Sequence, residues 1–492
     1  MTRSWLFLCL AGLMAAVTHA ATAAPPNVVW IIADDMSPDT GAYGLADVST
    51  PNLDRLAAEG RRYTRSYASA PVCSSSRSAF ILGCYQTTTG LHPHDVENPQ
   101  PLPAPYRHLP GLLREAGWFV TNAPAPGTVR SGRAIKKAKT HYNFAHDPAE
   151  MYDGDDWQKR APGQPFFAQF QITEPHRPFP IPAVYDPEKL ASIQLPASYP
   201  DHPLIRRDWY AYQRSVEVVD QRVGVILDQL QSAGVLEDTV IMFFADHGRP
   251  MPWGKQWLSV EGLRVPLLIR GPQVEAGSVE TRLVSLIDLA PSVLQLSGLP
   301  VQEWMEGRAL FGGSFPERAS LFAARDRCGD AMDRIRAVIT PDHLLVRNFQ
   351  PDLPYLNWSS YKEEQYPGMP LLRVLEAQGK LDAAHAFRLK PGRAATELYD
   401  LIADPSGTLS IKDETAQTAL ERELDSWIIT SGDRGAQGDP ATEPALVEIQ
   451  KSKRAGYQRV WQKRLGKPEP TDAERLDWWE KSYGLTREKI IP

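Results

Sequence analysis

The sequence predicts a layered α/β fold, a sheet with helices on both faces, plus a smaller C-terminal α+β domain with an antiparallel sheet. Three observations carry this. Apolar runs rich in β-branched and aromatic residues recur at 27–33, 166–172, 240–245 and 265–269, and continuous runs of that length suit strands covered on both faces, as in a parallel sheet. Helical periodicity lies between them: Val216, Val219, Val223, Ile226 and Leu230 recur every three or four residues and place one apolar stripe along 210–230. After about Ala331 the pattern shifts to short alternating strands, 335–339 and 343–349, joined through Thr340-Pro341-Asp342 as a hairpin.

Each segment follows in chain order. Residues 1–23 read as a signal peptide: Arg3 precedes a 13-residue apolar run from Trp5 to Val17, then Thr18-His19-Ala20 and small residues, with cleavage expected after Ala20 or Ala23. The run is shorter than the roughly 18 to 20 residues a span needs, and no later segment is long and apolar enough, so no integral membrane span is expected. The mature chain is expected to be exported, either periplasmic or secreted. Residues 24–330 form the expected catalytic domain, with helices at 53–59 and 288–295. Residues 331–445 form the smaller domain, including a strand at 397–401 and a helix at 416–429. Residues 446–492, rich in Lys, Arg, Glu and Trp, read as a helical tail packed on the body. The Pro-rich stretches 99–110 and 175–187 are loops, where sites concentrate.

Composition excludes several functions. The 492 residues are 42% hydrophobic and 23% charged, as in an ordinary globular protein. Lys+Arg 53 against Asp+Glu 59 gives a net charge of −6 with no basic block, which disfavours nucleic acid as a partner. Any anion must then be held by a local concentration of positive groups. Four cysteines cannot scaffold this length, and Cys84 and Cys328 read as buried free thiols or an incidental pair.

The first strand ends in Ala33-Asp34-Asp35-Met36. Adjacent carboxylates at the C-terminal end of a buried strand repel unless a cation neutralises them, and in open α/β sheets that end binds ligands. A capping pair at the turn is the alternative. The strand 240–245 ends in Asp246-His247-Gly248, a second ligand-type strand end. Oxygen ligation points to calcium or magnesium, with the His247 nitrogen leaving a softer ion open.

The stretch Pro71-Val72-Cys73-Ser74-Ser75-Ser76-Arg77-Ser78-Ala79-Phe80-Ile81-Leu82-Gly83 resembles the signature of the type I sulfatases, in which the cysteine of a Cys-x-Pro-x-Arg core becomes formylglycine. It departs at Ser75, where the family usually has Pro or Ala. Further stretches are similar to the family in order: Thr50 to Leu56 (Thr-Pro-Asn-Leu-Asp-Arg-Leu), Lys139-Thr140-His141, Glu174-Pro175-His176-Arg177-Pro178, and Lys255 after Asp246-His247-Gly248. The resemblance implies an alkaline-phosphatase-like sheet and a formylglycine-generating maturation enzyme as partner. It also implies one divalent metal, Ca2+ or Mg2+, on Asp34, Asp35, Asp246, His247 and the oxidised Cys73. Arg77, Lys139 and Lys255 would hold the sulfate. His176 would protonate the leaving atom while His141 assists the hydrated aldehyde, or the two exchange roles. A hydrated aldehyde suits the reaction because one hydroxyl attacks and the second expels sulfate.

For the substrate, the run 323–336, with Arg325, Asp326 and Asp330, and the loop 87–94, with His92 and His94, look most like the heparan N-sulfatase branch. Arg grips anions bidentately and Asp accepts from hydroxyls, which suits a sulfated, carboxylated sugar. N-sulfoglucosamine is favoured. The alternatives are an O-sulfatase, a phosphodiester or phosphonate monoester hydrolase of the same superfamily, a glycan-binding protein if Cys73 stays a thiol, and, for the charged run, an ion-paired sheet edge. No oligomeric state is indicated.

Overall fold

The computed structural model describes residues 24–130, 133–311, 317–437 and 443–485; the expected signal peptide and the last residues of the tail lie outside them. The body is built on a seven-stranded sheet from β1 (Asn27–Ala33), β2 (Arg61–Tyr63), β3 (Phe119–Pro124), β4 (Phe166–Ile172), β5 (Thr239–Ala245), β6 (Leu267–Arg270) and β7 (Ser278–Glu280), in the order β7-β2-β6-β5-β1-β4-β3. The central strand β1 pairs in parallel with both β4 and β5. Ala33 is in register with Ile172 on one side and Ala245 on the other. The C-terminal ends of three strands are therefore level, and Asp34-Asp35, Thr173-Glu174 and Asp246-His247 leave the sheet together.

The expected apolar runs are strands, with one change of direction. β6 pairs antiparallel with β5, and it begins at Leu267 rather than Val265 because Pro266 has no N–H to give a ladder. β3 carries Thr121 and Asn122 within a short buried run, and its polar residues hide it from an apolar pattern.

The helices used below are α1 (Pro51–Glu59), α2 (Cys73–Leu82), α3 (Pro203–Ser232), α4 (Leu289–Leu296), α5 (Ser360–Gln365), α6 (Glu414–Thr430), α7 (Glu443–Leu465) and α8 (Asp472–Ser482). α3 buries the expected Val216–Leu230 stripe. α2 is buried along its whole length, and its Phe80 packs edge-on against Trp30 of β1 (5.8 Å) and Phe244 of β5 (5.3 Å). These aromatic contacts hold the later turns of α2 against β1 and β5. Gly83 closes the helix at φ 71°, where its N–H donates to the Ala79 carbonyl and an added Cβ would press on Met305 and Pro291 at 3.2 Å.

A second, antiparallel sheet runs β8 (Leu321–Cys328), β9 (Ala331–Ile339), β10 (His343–Asn348) and β11 (Thr396–Asp400). It begins with β8, ahead of the expected division at 330/331. Arg325, Asp326 and Cys328 thus belong to this sheet. α6 covers it through Trp427, stacked on Phe322 at 4.9 Å. α7 and α8 pack back through Trp461 and Trp479, both buried. Among the described residues no helix is long and apolar enough to cross a membrane, and Cys73, Cys84 and Cys328 are free and buried.

Candidate active site

The level strand ends and the start of α2 converge. Asp34 and Asp35 leave β1, Asp246 and His247 leave β5, and Cys73 opens α2 with Arg77 one turn on. Gly248 is required next: a Cβ there would meet the Glu261 carbonyl oxygen at 1.8 Å. Asp35 adopts φ 62°, a left-handed conformation uncommon outside glycine. It is held there by its own N–H donating to Asp246 Oδ1 (3.0 Å) and by Lys255 Nζ donating to both carboxylate oxygens (2.9 and 2.7 Å).

Lys139 Nζ donates to both oxygens of Asp34 (2.6 and 2.8 Å). Arg77 Nε donates to Asp246 Oδ2 (2.8 Å), and its terminal nitrogens reach Gln171 Oε1 (2.8 Å) and Asp34 Oδ1 (3.3 Å). His247 Nε2 is 2.9 Å from Asp35 Oδ1 and 3.3 Å from Cys73 Sγ. Lys255 Nζ lies 3.5 Å from the same sulfur.

Charge dominates this set. Burial alone would raise the Asp34 carboxyl, but Lys139 and Arg77 hold it well below the usual carboxylate range. The same contest, won by Lys255, His176 and His247, lowers Asp35. Burial would also raise the Cys73 thiol, yet Lys139, Lys255 and His247 hold it well below a free thiol. Asp246 goes the other way: burial, only partly offset by Arg77, raises it to about 6. That carboxylate is still short of positive charge. Donor atoms of Asp35, Cys73, Asp246 and His247 lie within 4.8 Å of one another, and Asp34, Asp35 and His176 form an adjoining set. Buried carboxylates converging with one imidazole fit a divalent cation, so the residues present suit the expected metal.

Three histidines ring the space above. His141 Nε2 is 2.6 Å from Asp95 Oδ1, and ring nitrogens of His141 and His94 lie within 4.8 Å of Cys73 Sγ. Burial lowers His141, but the hydrogen bonds to Asp95 and Cys73 together outweigh it and raise the group above the usual histidine value. His176 approaches Asp35 Oδ2 at 3.8 Å, with Nδ1 2.6 Å from the Arg177 carbonyl. Burial and Lys255 lower it. A cavity of about 980 Å3 opens over Cys73, with Asp34, Lys139, Lys255, His94, His141 and His176 on its walls.

The structure brings Cys73, Arg77, Lys139, Lys255, Asp34, Asp35, Asp246 and His247 together and sets His94, His141, His176 and Asp330 around the cavity. It does not bring His92, Arg325 or Asp326 to that cavity. His92 pairs with Asp326 (3.0 Å), Asp326 with Arg336 (2.6 Å), and Arg325, 1% exposed, donates to the Gln256 carbonyl beside Trp257. Asp330 accepts from the Ser360 N–H at 3.1 Å. Sequence reasoning missed Asp95, one residue past the quoted loop, and Gln171, a polar residue inside a fully buried strand. The second carries a readable signal, since a buried amide needs a partner.

The Sulfatase family model matches residues 26–299. The chain is 29% identical over 469 residues to the "Ulvan-active sulfatase" of Formosa agariphila, covering 83% of this chain and 75% of that protein. To human N-sulphoglucosamine sulphohydrolase it is 27% identical over 453 residues, covering 79% of this chain and 86% of that one. A protein solved with its substrate D-glucosamine-2-N,6-O-disulfate superposes with a TM-score of 0.58 at 17% identity, over 84% of this chain and 100% of that chain. That likeness shows the fold, the alkaline-phosphatase-like layered sheet.

Proposed function

The chain belongs to the sulfatase family and is a sulfuric-ester hydrolase, and from that premise we propose that it removes sulfate from a glycosaminoglycan-type sugar, N-sulfoglucosamine first. The observation carrying the reading is the floor of the cavity, where Lys139, Lys255 and Arg77 surround Cys73 beside three buried carboxylates. A formylglycine at Cys73 supplies the nucleophilic hydroxyl, and a calcium or magnesium ion on Asp34, Asp35, Asp246, His247 and that residue supplies positive charge to the sulfate.

The chain's own groups account for the rest. Lys139 and Lys255 already donate to carboxylates, so a sulfate entering between them meets fixed donors that need no reorganisation. Arg77, locked by Asp246 and Gln171, keeps its charge under the reacting centre. His176 turns Nδ1 to the Arg177 carbonyl, which leaves Nε2 free, and in the imidazolium form that nitrogen would give its proton to the departing sugar atom. His141, backed by Asp95, holds a proton at the Cys73 side. The cavity, about 980 Å3, is large enough to admit a sugar. The Formosa relative, named for its activity on ulvan, supports a second reading, an O-sulfatase acting on another sulfated polysaccharide.

The test is a panel of kcat/KM values on N-sulfoglucosamine, O-sulfated sugars, an aryl sulfate and a phosphodiester, with mass spectrometry of the Cys73 peptide on the same preparation. N-sulfoglucosamine ranks first, and the peptide shows the cysteine-to-aldehyde mass change. Strict preference for an O-sulfated sugar selects the second reading. A faster phosphodiester overturns both. An unmodified thiol in active enzyme removes the formylglycine.

A further inference from the structure

Helix α7 lies outside residues 26–299 matched by the family model, yet it reaches the cavity. Its Lys453 lines the wall with Nζ 3.7 Å from Asp95 Oδ2. Asp95 in turn pairs with His141, which stands beside Cys73. Lys453 is thus two side chains from the reacting centre, on the rim, with 46% of its side chain exposed.

The helix itself is anchored on both sides of this residue. Gln450 Nε2 donates to the Asp330 carbonyl (3.3 Å), the Arg454 guanidinium lies over Trp358 (4.3 Å), and Tyr457 is buried. These positions share one helical face with Lys453. The face packs on α5, whose Tyr361 lines the same cavity and sits 5.1 Å from Lys255 Nζ. The backbone at 453 is therefore fixed while its ammonium stays half in water.

That ammonium is under-used by the fold. A 3.7 Å separation exceeds a hydrogen bond, and exposed ion pairs contribute little to stability. Its partner Asp95 is already engaged by His141 and approached by His94 at 3.5 Å. By contrast Arg222, another cation on the wall, donates to the Pro126 carbonyl (3.0 Å) and faces Glu174 (3.9 Å). Lys453 can accept a new anion without breaking a structural bond.

We propose that Lys453 is a specificity-determining residue that binds the carboxylate of the uronic acid adjoining the sulfated sugar. This rests on the glycan reading above. The sulfate sits at the floor between Lys139 and Lys255, and the next sugar's carboxylate meets Lys453 at the rim, so one substrate is held by two anionic groups.

The test pairs two enzymes with two substrates: wild type and Lys453→Gln, each on an N-sulfoglucosamine–glucuronic acid disaccharide and on its carboxyl-reduced counterpart. Lys453→Gln lowers kcat/KM on the uronate form by about 10- to 100-fold, chiefly through KM, the worth of one charge-assisted hydrogen bond. On the reduced form the loss shrinks to a few-fold. Lys453→Arg, which keeps the charge, retains the discrimination even if the Gln variant folds poorly. Equal losses on both disaccharides, or discrimination lost in Lys453→Arg, overturn the assignment. Wild-type enzyme that cleaves an aryl sulfate but neither disaccharide overturns the substrate reading instead, before any variant is made.

Discussion

One set of buried charges lies at the level ends of β1, β4 and β5, and another across the antiparallel sheet. In the second set Asp326, Arg336 and Asp433 form a chain, Arg336 Nε reaching Asp433 at 2.5 Å, and Arg393 closes on Asp333. Each carboxylate there finds a cation, and none of these side chains lines the cavity over Cys73. In the first set Arg77, Lys139 and Lys255 crowd around one sulfur, Asp246 stays raised to about 6, and the cluster opens to about 980 Å3 of space. Both sets are buried and both are ion-paired. The difference is closure: a structural network saturates itself, whereas a site leaves charge aimed at a point where a ligand belongs.

The sharpest test of that difference is Cys73→Ala. Turnover falls on the order of 10⁶-fold, the size expected when the nucleophile of a concerted set is removed. The fold survives, because Lys139 and Lys255 keep their carboxylate partners. Retained activity with Ala at 73 removes the distinction between the clusters altogether.

Asp326→Asn probes the other side. Breaking a buried pair leaves Arg336 partly uncompensated and costs about 3 kcal/mol in unfolding free energy. The folded fraction keeps the wild-type ratio of kcat/KM on sugar and aryl sulfates. Denaturant titration reads the first quantity and the substrate pair the second. A stable variant with an altered ratio would return Asp326 to the substrate pocket.

That pairing of experiments also marks where the sequence was readable. β1 and β4 are continuous β-branched and aromatic runs, and their bounds were legible to the residue. So was the set of acidic and basic residues at the floor, since ligand types at two strand ends and a signature at a helix start carry their own chemistry. The direction of β6 was not legible, because an apolar run covered on both faces has no pattern that separates parallel from antiparallel pairing. Arg325 and Asp326 illustrate the harder failure. A dense run of Arg and Asp looks the same whether it lines a sugar pocket or closes on itself, and only the strand register of β8 against β9 decides. Asp95 and Lys453 were hidden for a different reason: each reaches the cavity beside partners remote in sequence, His141 lying 46 residues from Asp95.

The smallest effect is expected at Asp95, where the open cluster borrows one closed contact. Burial would raise the Asp95 carboxyl, but His94 and His141 hold it well below the usual range. Reciprocally, burial would lower His141, and Asp95 raises it. In Asp95→Asn the anion is gone, so the His141 value falls. The sign follows for both readouts. A histidine raised in the folded state adds stability that is fully present below its unfolded value and lost as pH rises through the folded one, so the variant loses most of its stability relative to wild type in mild acid. The His141 limb of the kcat against pH profile moves to lower pH, with a several-fold loss near neutrality and Cys73 maturation unchanged. A flat loss at every pH, with no movement of the limb, shows that Asp95 merely holds its loop, and His141 then owes its state to Cys73 alone.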